Sequence, residues 1–176
     1  FNSLFINFEN AHWSFNNKKI NSKNLSSIAS DVSDDVYNLT PKVQNELVVR
    51  EKVSTMAVAA SHSLIFRILN NASEKNLGME GYPAEYGIYL SIIKANKLHK
   101  LSKGEFKFVE PSKSNKELSA LHNEFNKHIK SKEEPTSLNE LYDLFSKQPY
   151  GIKKGLIPIL LASFYMTNEG SFALYN

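Results

Sequence analysis

Cysteine is absent from the 176 residues. That excludes a disulfide framework, a thiolate zinc site and a cysteine nucleophile, and it suits a reducing cytoplasm. Long apolar runs are missing as well. The longest, from Leu156 to Met166, is interrupted by Pro158, Ser163 and Tyr165 and falls short of the ~18–20 residues that span a bilayer, so no membrane association is expected. The amino terminus has no basic stretch leading into an apolar segment and a small-residue cleavage site, so no secretory signal is visible. The first residue is Phe1 rather than Met, which makes a piece of a longer protein the expectation.

Nucleotide and nucleophile signatures are lacking too. The seven glycines form no Gly-x-x-x-x-Gly-Lys-Ser/Thr loop, no Gly-x-Gly-x-x-Gly and no Gly-x-Ser-x-Gly elbow. The five histidines, His12, His62, His99, His122 and His128, include no His-Glu-x-x-His and no other pair at metal-ligand spacing. His122 and His128 are six apart on one expected helix, about 240° around its axis, and so do not share a face. Asp31, Asp34 and Asp35 lack the oxygen-rich loop and glycine of a calcium site. The expectation is therefore a chain that is not itself an enzyme, with no catalytic residues, no metal and no cofactor.

What is present is ordinary for a globular protein: 41% hydrophobic and 22% charged residues, with a net charge of +3. The charge is unevenly placed. Residues 1–88 hold 8 Lys/Arg against 9 Asp/Glu, and residues 89–176 hold 13 against 9; Lys94–Lys116 alone carries 7 Lys and 2 Glu. A lysine-rich stretch of this kind is either a solvated face or a surface that meets phosphates.

Periodicity gives the elements. Alternation through Leu4, Ile6 and Phe8, then Trp13, Phe15 and Ile20 around Asn16-Asn17, predicts a β-ribbon. Leu25, Ile28, Ala29, Val32 and Val36 recur at helical spacing behind Ser22 as N-cap. Thr40-Pro41 is expected to open the next helix, an amphipathic run from Val43 to Leu69, broken near Arg50–Ser54. Ala57, Ala59 and Ala60 would let a neighbouring helix approach closely. Gly81-Tyr82-Pro83 introduces another helix with Tyr86, Tyr89, Leu90 and Ile93 toward the core, and residues 98–109 read as a hairpin turning at Ser102-Lys103-Gly104.

After a linker at Pro111–Asn115, Lys116–Lys130 is a helix with Leu118, Leu121, Phe125 and Ile129 on one face. Ser137 and Glu140 form a capping box ahead of Leu141 and Phe145. Pro158 confines the start of the last helix to Lys154–Ile157, since a missing N–H is harmless only in the first turn. Apolar residues cover nearly every side of that helix, which predicts burial all round. Ser171–Tyr175 reads as a strand. Gly151-Ile-Lys-Lys-Gly155, just before the helix, is either a phosphate contact at a helix start or a tight turn; the tight turn fits better.

The fold class that follows is mainly α with small β-hairpins: a helical bundle with winged-helix-like units. One unit is residues 1–110, a β-ribbon plus a helical winged-helix-like part; the other is residues 111–176, helical, winged-helix-like and cut short at its end. Helix, second helix, then hairpin is an order in which the second helix and the hairpin can both meet nucleic acid. The candidate nucleic-acid contacts are Lys94, Lys97, His99, Lys100, Lys103 and Lys107. Asn45, Glu46 and Arg50 form a compact polar group that is either a local i,i+4 pair or an interdomain site whose arginine reaches a nucleotide or a neighbouring domain.

Several stretches carry a resemblance: Tyr37-x-x-Thr-Pro41 leading to Asn45-Glu-Leu-Val-Val-Arg50, Leu77-Gly-Met-Glu-Gly-Tyr-Pro83, and above all Gln148-Pro-Tyr-Gly-Ile-Lys-Lys-Gly-Leu-Ile-Pro-Ile-Leu-Leu-Ala162. Over residues 30–176 the chain resembles the region beyond the ATPase module of large prokaryotic P-loop ATPases of restriction or phage-defence (BREX-like) systems. The resemblance implies a multidomain cytoplasmic protein acting on or near DNA, in which this segment is a non-catalytic module mediating interdomain or protein contacts; the alternative is a winged-helix domain that binds DNA directly through the basic Lys94–Lys107 segment. Gln148-Pro149 departs from the Pro-Pro of that pattern.

Overall fold

A computed structural model describes residues 13–15, 17–20, 25–43, 45–50, 52–132 and 134–173. Among them the chain is mainly α, with two small antiparallel hairpins. It divides into two compact units, 1–38 and 39–176.

The first unit holds β1 (Trp13–Phe15) and β2 (Lys18–Ile20), paired in the register Trp13 with Ile20 and Phe15 with Lys18. Just before β2, Asn17 takes φ 60°, the left-handed conformation that asparagine tolerates. The expected strand positions Leu4, Ile6 and Phe8 lie outside the described residues, as do His12 and the Ser22 cap. Helix α1 (Leu25–Val36) follows. Its face with Asp31, Asp34 and Asp35 is exposed.

The second unit begins differently from the sequence expectation. Thr40-Pro41 does not open a helix. Residues 40–43 are irregular; Thr40 Oγ1 donates to the carbonyl of Tyr150 at 2.6 Å, and Pro41 is buried. The helix starts instead at Asn45, whose side chain accepts from Leu47 N to cap the single turn of α2 (Glu46–Val49). The chain breaks after Arg50 and resumes as α3 (Thr55–Asn70), capped by Ser54. Ala57 and Ala60 are buried, which permits the close approach of α3 to its neighbours, while Ala59 faces outward.

After α3 the backbone makes a left-handed turn. Asn76, Leu77 and Gly78 all have positive φ, at 52°, 55° and 66°. A left-handed leucine costs about 1–2 kcal/mol. Full burial of the Leu77 side chain, worth about 1.5–3 kcal/mol, offsets that strain. Helix α4 (Ala84–Ile88) then continues as a π-helical segment, Tyr89–Lys94. Ile88, Tyr89, Ile92 and Ile93 are buried along it. Leu90, expected in the core, is exposed, because the buried face runs through Glu85, Ile88, Tyr89, Ile92 and Ile93 and Leu90 lies off it at helical spacing.

The hairpin of β3 (His99–Ser102) and β4 (Glu105–Phe108) comes next, with His99 opposite Phe108. Helices α5 (Lys116–Lys130), α6 (Leu138–Ser146) and α7 (Ile157–Thr167) complete the unit. The α6 boundary follows from its cap: Ser137 Oγ accepts from Glu140 N. Leu138, at the helix start, is exposed.

Helix α7 is the centre of the core. Ile157, Ile159, Leu160, Leu161, Ala162, Ser163, Phe164 and Met166 are buried, and the one hydroxyl among them is satisfied by a 2.7 Å bond from Ser163 Oγ to the Ile159 carbonyl. Pro158 sits in the first turn. The Phe164 ring lies 5.0 Å from His122, 5.8 Å from Phe125 and 6.2 Å from Phe145, which ties α7 to α5 and α6; α7 also packs on α3 and β4. The core is one cluster, running from Val48 to Met166 and taking in Leu98 and Phe108 together with Leu118 and Leu121.

The Gly151–Gly155 element introduces this helix. A Cβ on Gly155 would lie 2.6 Å from the carbonyl oxygen of Val48, so the close approach of α2 to the start of α7 requires glycine there. Beyond α7, Asn168 and Gly170 stop the helix, but residues 171–173 do not form the expected strand; Leu174 and Tyr175 lie outside the described residues.

Candidate nucleic-acid interface

The π-helical segment delivers Lys94 to its last turn, and the chain reverses into β3 through Lys97 at φ 54°. The hairpin itself is a two-residue turn with Lys103 at φ 56° and Gly104 at φ 93°, the pair of left-handed residues that a type I′ turn needs. Such a turn matches the twist of the strands, so it fixes the register. Alternation then sorts the side chains. His99 opposite Phe108 and Leu101 opposite Phe106 share one face; Lys100 opposite Lys107 and Ser102 opposite Glu105 share the other.

Lys94, Lys97, Lys100, Lys103 and Lys107 are all exposed at the surface; among the described residues none of them is in an ion pair. Lys100 and Lys107 are direct cross-strand neighbours. Like charges opposite one another destabilise a ribbon by a few tenths of a kcal/mol or more. Glu105, near the turn, is the one carboxylate on that face of the ribbon.

His99 stands apart from these lysines. It is 4% exposed and faces inward, with both ring nitrogens engaged. The Ala72 carbonyl accepts from Nε2 at 2.7 Å, which places the proton there and leaves Nδ1 to accept from Tyr89 Oη at 3.0 Å. Burial is the main cause holding the imidazole below the usual histidine value, only partly opposed by the Ala72 bond. Tyr89, buried beside it and near Tyr86, is pushed up to about 12. This pair anchors the root of the hairpin to the π-helical segment.

Asn45, Glu46 and Arg50 are placed together, but largely for local reasons. Asn45 Nδ2 donates to Ser91 Oγ at 2.7 Å while its Oδ1 caps α2, and Glu46 and Arg50 form an exposed i,i+4 pair at 3.0 Å. A shallow groove of ≈ 430 Å³ lies elsewhere, lined by His62, Ser63, Phe66, Arg67, Asn71 and Glu85; Arg67 and Glu85 pair across it at 3.2 Å. Among the described residues no three His, Asp or Glu side chains come together as a metal site. No described helix is long and apolar enough to cross a membrane.

Sequence reasoning did not single out Leu101, which is 60% exposed beside the turn. The alternation that puts it on the His99 face was legible; that the core ends before reaching it was not. Compared with protein-family models, with curated proteins and with solved structures, the chain matches none.

Proposed function

We propose that the chain is a non-catalytic, DNA-contacting module of a larger cytoplasmic ATPase, with the β3–β4 hairpin as its phosphate-binding element. The placement within such an ATPase rests on the sequence resemblance. The DNA contact rests on one observation: Lys100 and Lys107 face each other across the ribbon, with no carboxylate paired to either. A polyanion removes that repulsion and gains from Lys103 at the turn and from Lys94 and Lys97 at the root of the ribbon. The order of long helix, second helix and hairpin is compatible with a winged-helix-like reading of this part.

Fluorescence anisotropy with a random-sequence duplex at several salt concentrations tests it. Affinity is expected to fall steeply with salt. Replacing both Lys100 and Lys107 by Ala should reduce the log–log slope by roughly 1.8, at about 0.9 for each phosphate no longer neutralised. Absent or salt-insensitive binding would sink the proposal.

A second reading, association with other domains of the parent protein, is favoured by a different observation. Met56 and Phe66 on α3 are 78% and 66% exposed, and Tyr82 ahead of α4 is 91% exposed. Asn45, Glu46 and Arg50 belong with this reading.

A further inference from the structure

The hairpin has two chemically different faces, and the second has a use that phosphate binding leaves open. Along the inward face the pair His99 and Phe108 is buried, and their rings lie 4.9 Å apart. The next pair toward the turn, Leu101 and Phe106, runs past the end of the core: Phe106 is half-buried and Leu101 is 60% exposed. An apolar side chain therefore projects beside a type I′ turn, with Lys100 just before it and Lys103 two residues on, at the turn.

We infer that Leu101 is a wedge that enters between base pairs beside the turn, where Lys103 holds the backbone, while Lys100 and Lys107 on the opposite face meet phosphates farther along, so that the module prefers duplexes that unstack easily. This rests on the reading of the hairpin as a phosphate-binding element. Insertion of an apolar side chain partly unstacks a base step, and the energy required is least where the step is mismatched or flexible. The lysines supply affinity that is indifferent to sequence. Leu101 supplies discrimination by deformability, without a hydrogen bond to any base. The anchoring of the ribbon root by His99, to Tyr89 at 3.0 Å and to the Ala72 carbonyl at 2.7 Å, gives the wedge a fixed base to press from.

The experiment compares a fully paired duplex with the same duplex carrying one central mismatch, using the whole chain at two salt concentrations. The wild-type chain should bind the mismatched duplex roughly tenfold more tightly. Leu101→Ser should abolish that preference with the salt slope unchanged, and Leu101→Met should keep it. Because Leu101 is largely exposed, neither change should unfold the protein, and circular dichroism melts check that.

Equal affinity for the two duplexes, or a preference that survives Leu101→Ser, overturns the wedge while leaving the phosphate reading intact. Loss of the salt-dependent lysine contribution removes both. Leu101-dependent binding to anionic phospholipid vesicles, with no binding to either duplex, also overturns it and reassigns the basic, apolar-tipped ribbon to a lipid surface.

Discussion

Single residues in this protein are governed by how each polar group is satisfied on burial. His99 and His122 are 4% and 2% exposed, and both are neutral donors through Nε2. His122 donates to Thr167 Oγ1 at 2.9 Å, because that hydroxyl already gives its proton to the Phe164 carbonyl at 2.7 Å. Burial is the leading cause that lowers both imidazoles below 6.5; for His122, Glu110 opposes the shift and Lys130 adds to it. The sign follows from linkage. Below the unfolded value and above the folded one, the unfolded chain binds more protons, so stability is full above ordinary histidine titration and falls as the pH drops toward the folded values. Urea unfolding at about pH 7.5 and about pH 5.5 should show a lower midpoint in acid, and a His99→Gln variant should flatten that dependence. A midpoint that does not move with pH would contradict it.

At the scale of elements, the hairpin carries a conflict between stability and charge. Its type I′ turn places Lys103 at φ 56°, a position that asparagine occupies at lower cost. Lys103→Asn should therefore stabilise the protein by about 0.5 kcal/mol, read as a higher melting midpoint. The same change removes a phosphate-binding cation and should weaken duplex binding at low salt. Both effects moving in the same direction would show that the turn does not meet the duplex. Helix α3 shows the reverse situation, where local chemistry and packing agree: Ser54 caps it, and Ala57 and Ala60 face its neighbours.

For the whole molecule, the second unit carries one continuous buried core. Among the described residues every member of the buried core lies between Val48 and Met166, and the partly buried residues against it begin at Leu39. A chain starting at Leu39 should unfold in one cooperative transition, with a midpoint within about 4 °C of the full chain, the shift that ~1 kcal/mol makes in a domain of this size. A broad, non-cooperative melt would show that the core depends on the preceding residues.

Much of the architecture was legible because it follows from local chemistry. Pro158 and the apolar run fix where α7 begins and that it is buried, the Ser137 cap fixes α6, and the Lys103-Gly104 turn fixes the hairpin. The exclusions drawn from missing cysteine and missing nucleotide loops belong to the sequence alone, as does the clustering of lysines between residues 94 and 107. Tertiary structure decided what depends on neighbours distant in sequence. Thr40 bonds the Tyr150 carbonyl instead of starting a helix, Gly155 is required by the Val48 backbone, and the core meets the face of Ile88, Tyr89, Ile92 and Ile93 rather than the one with Leu90. His99 and Lys100 are adjacent in sequence, yet one is buried and the other exposed, because strand alternation sends them to opposite faces and only one face meets a core. How far that core reaches along the ribbon, and hence that Leu101 is left beyond it, is set by packing from elsewhere in the chain and is written in no local pattern.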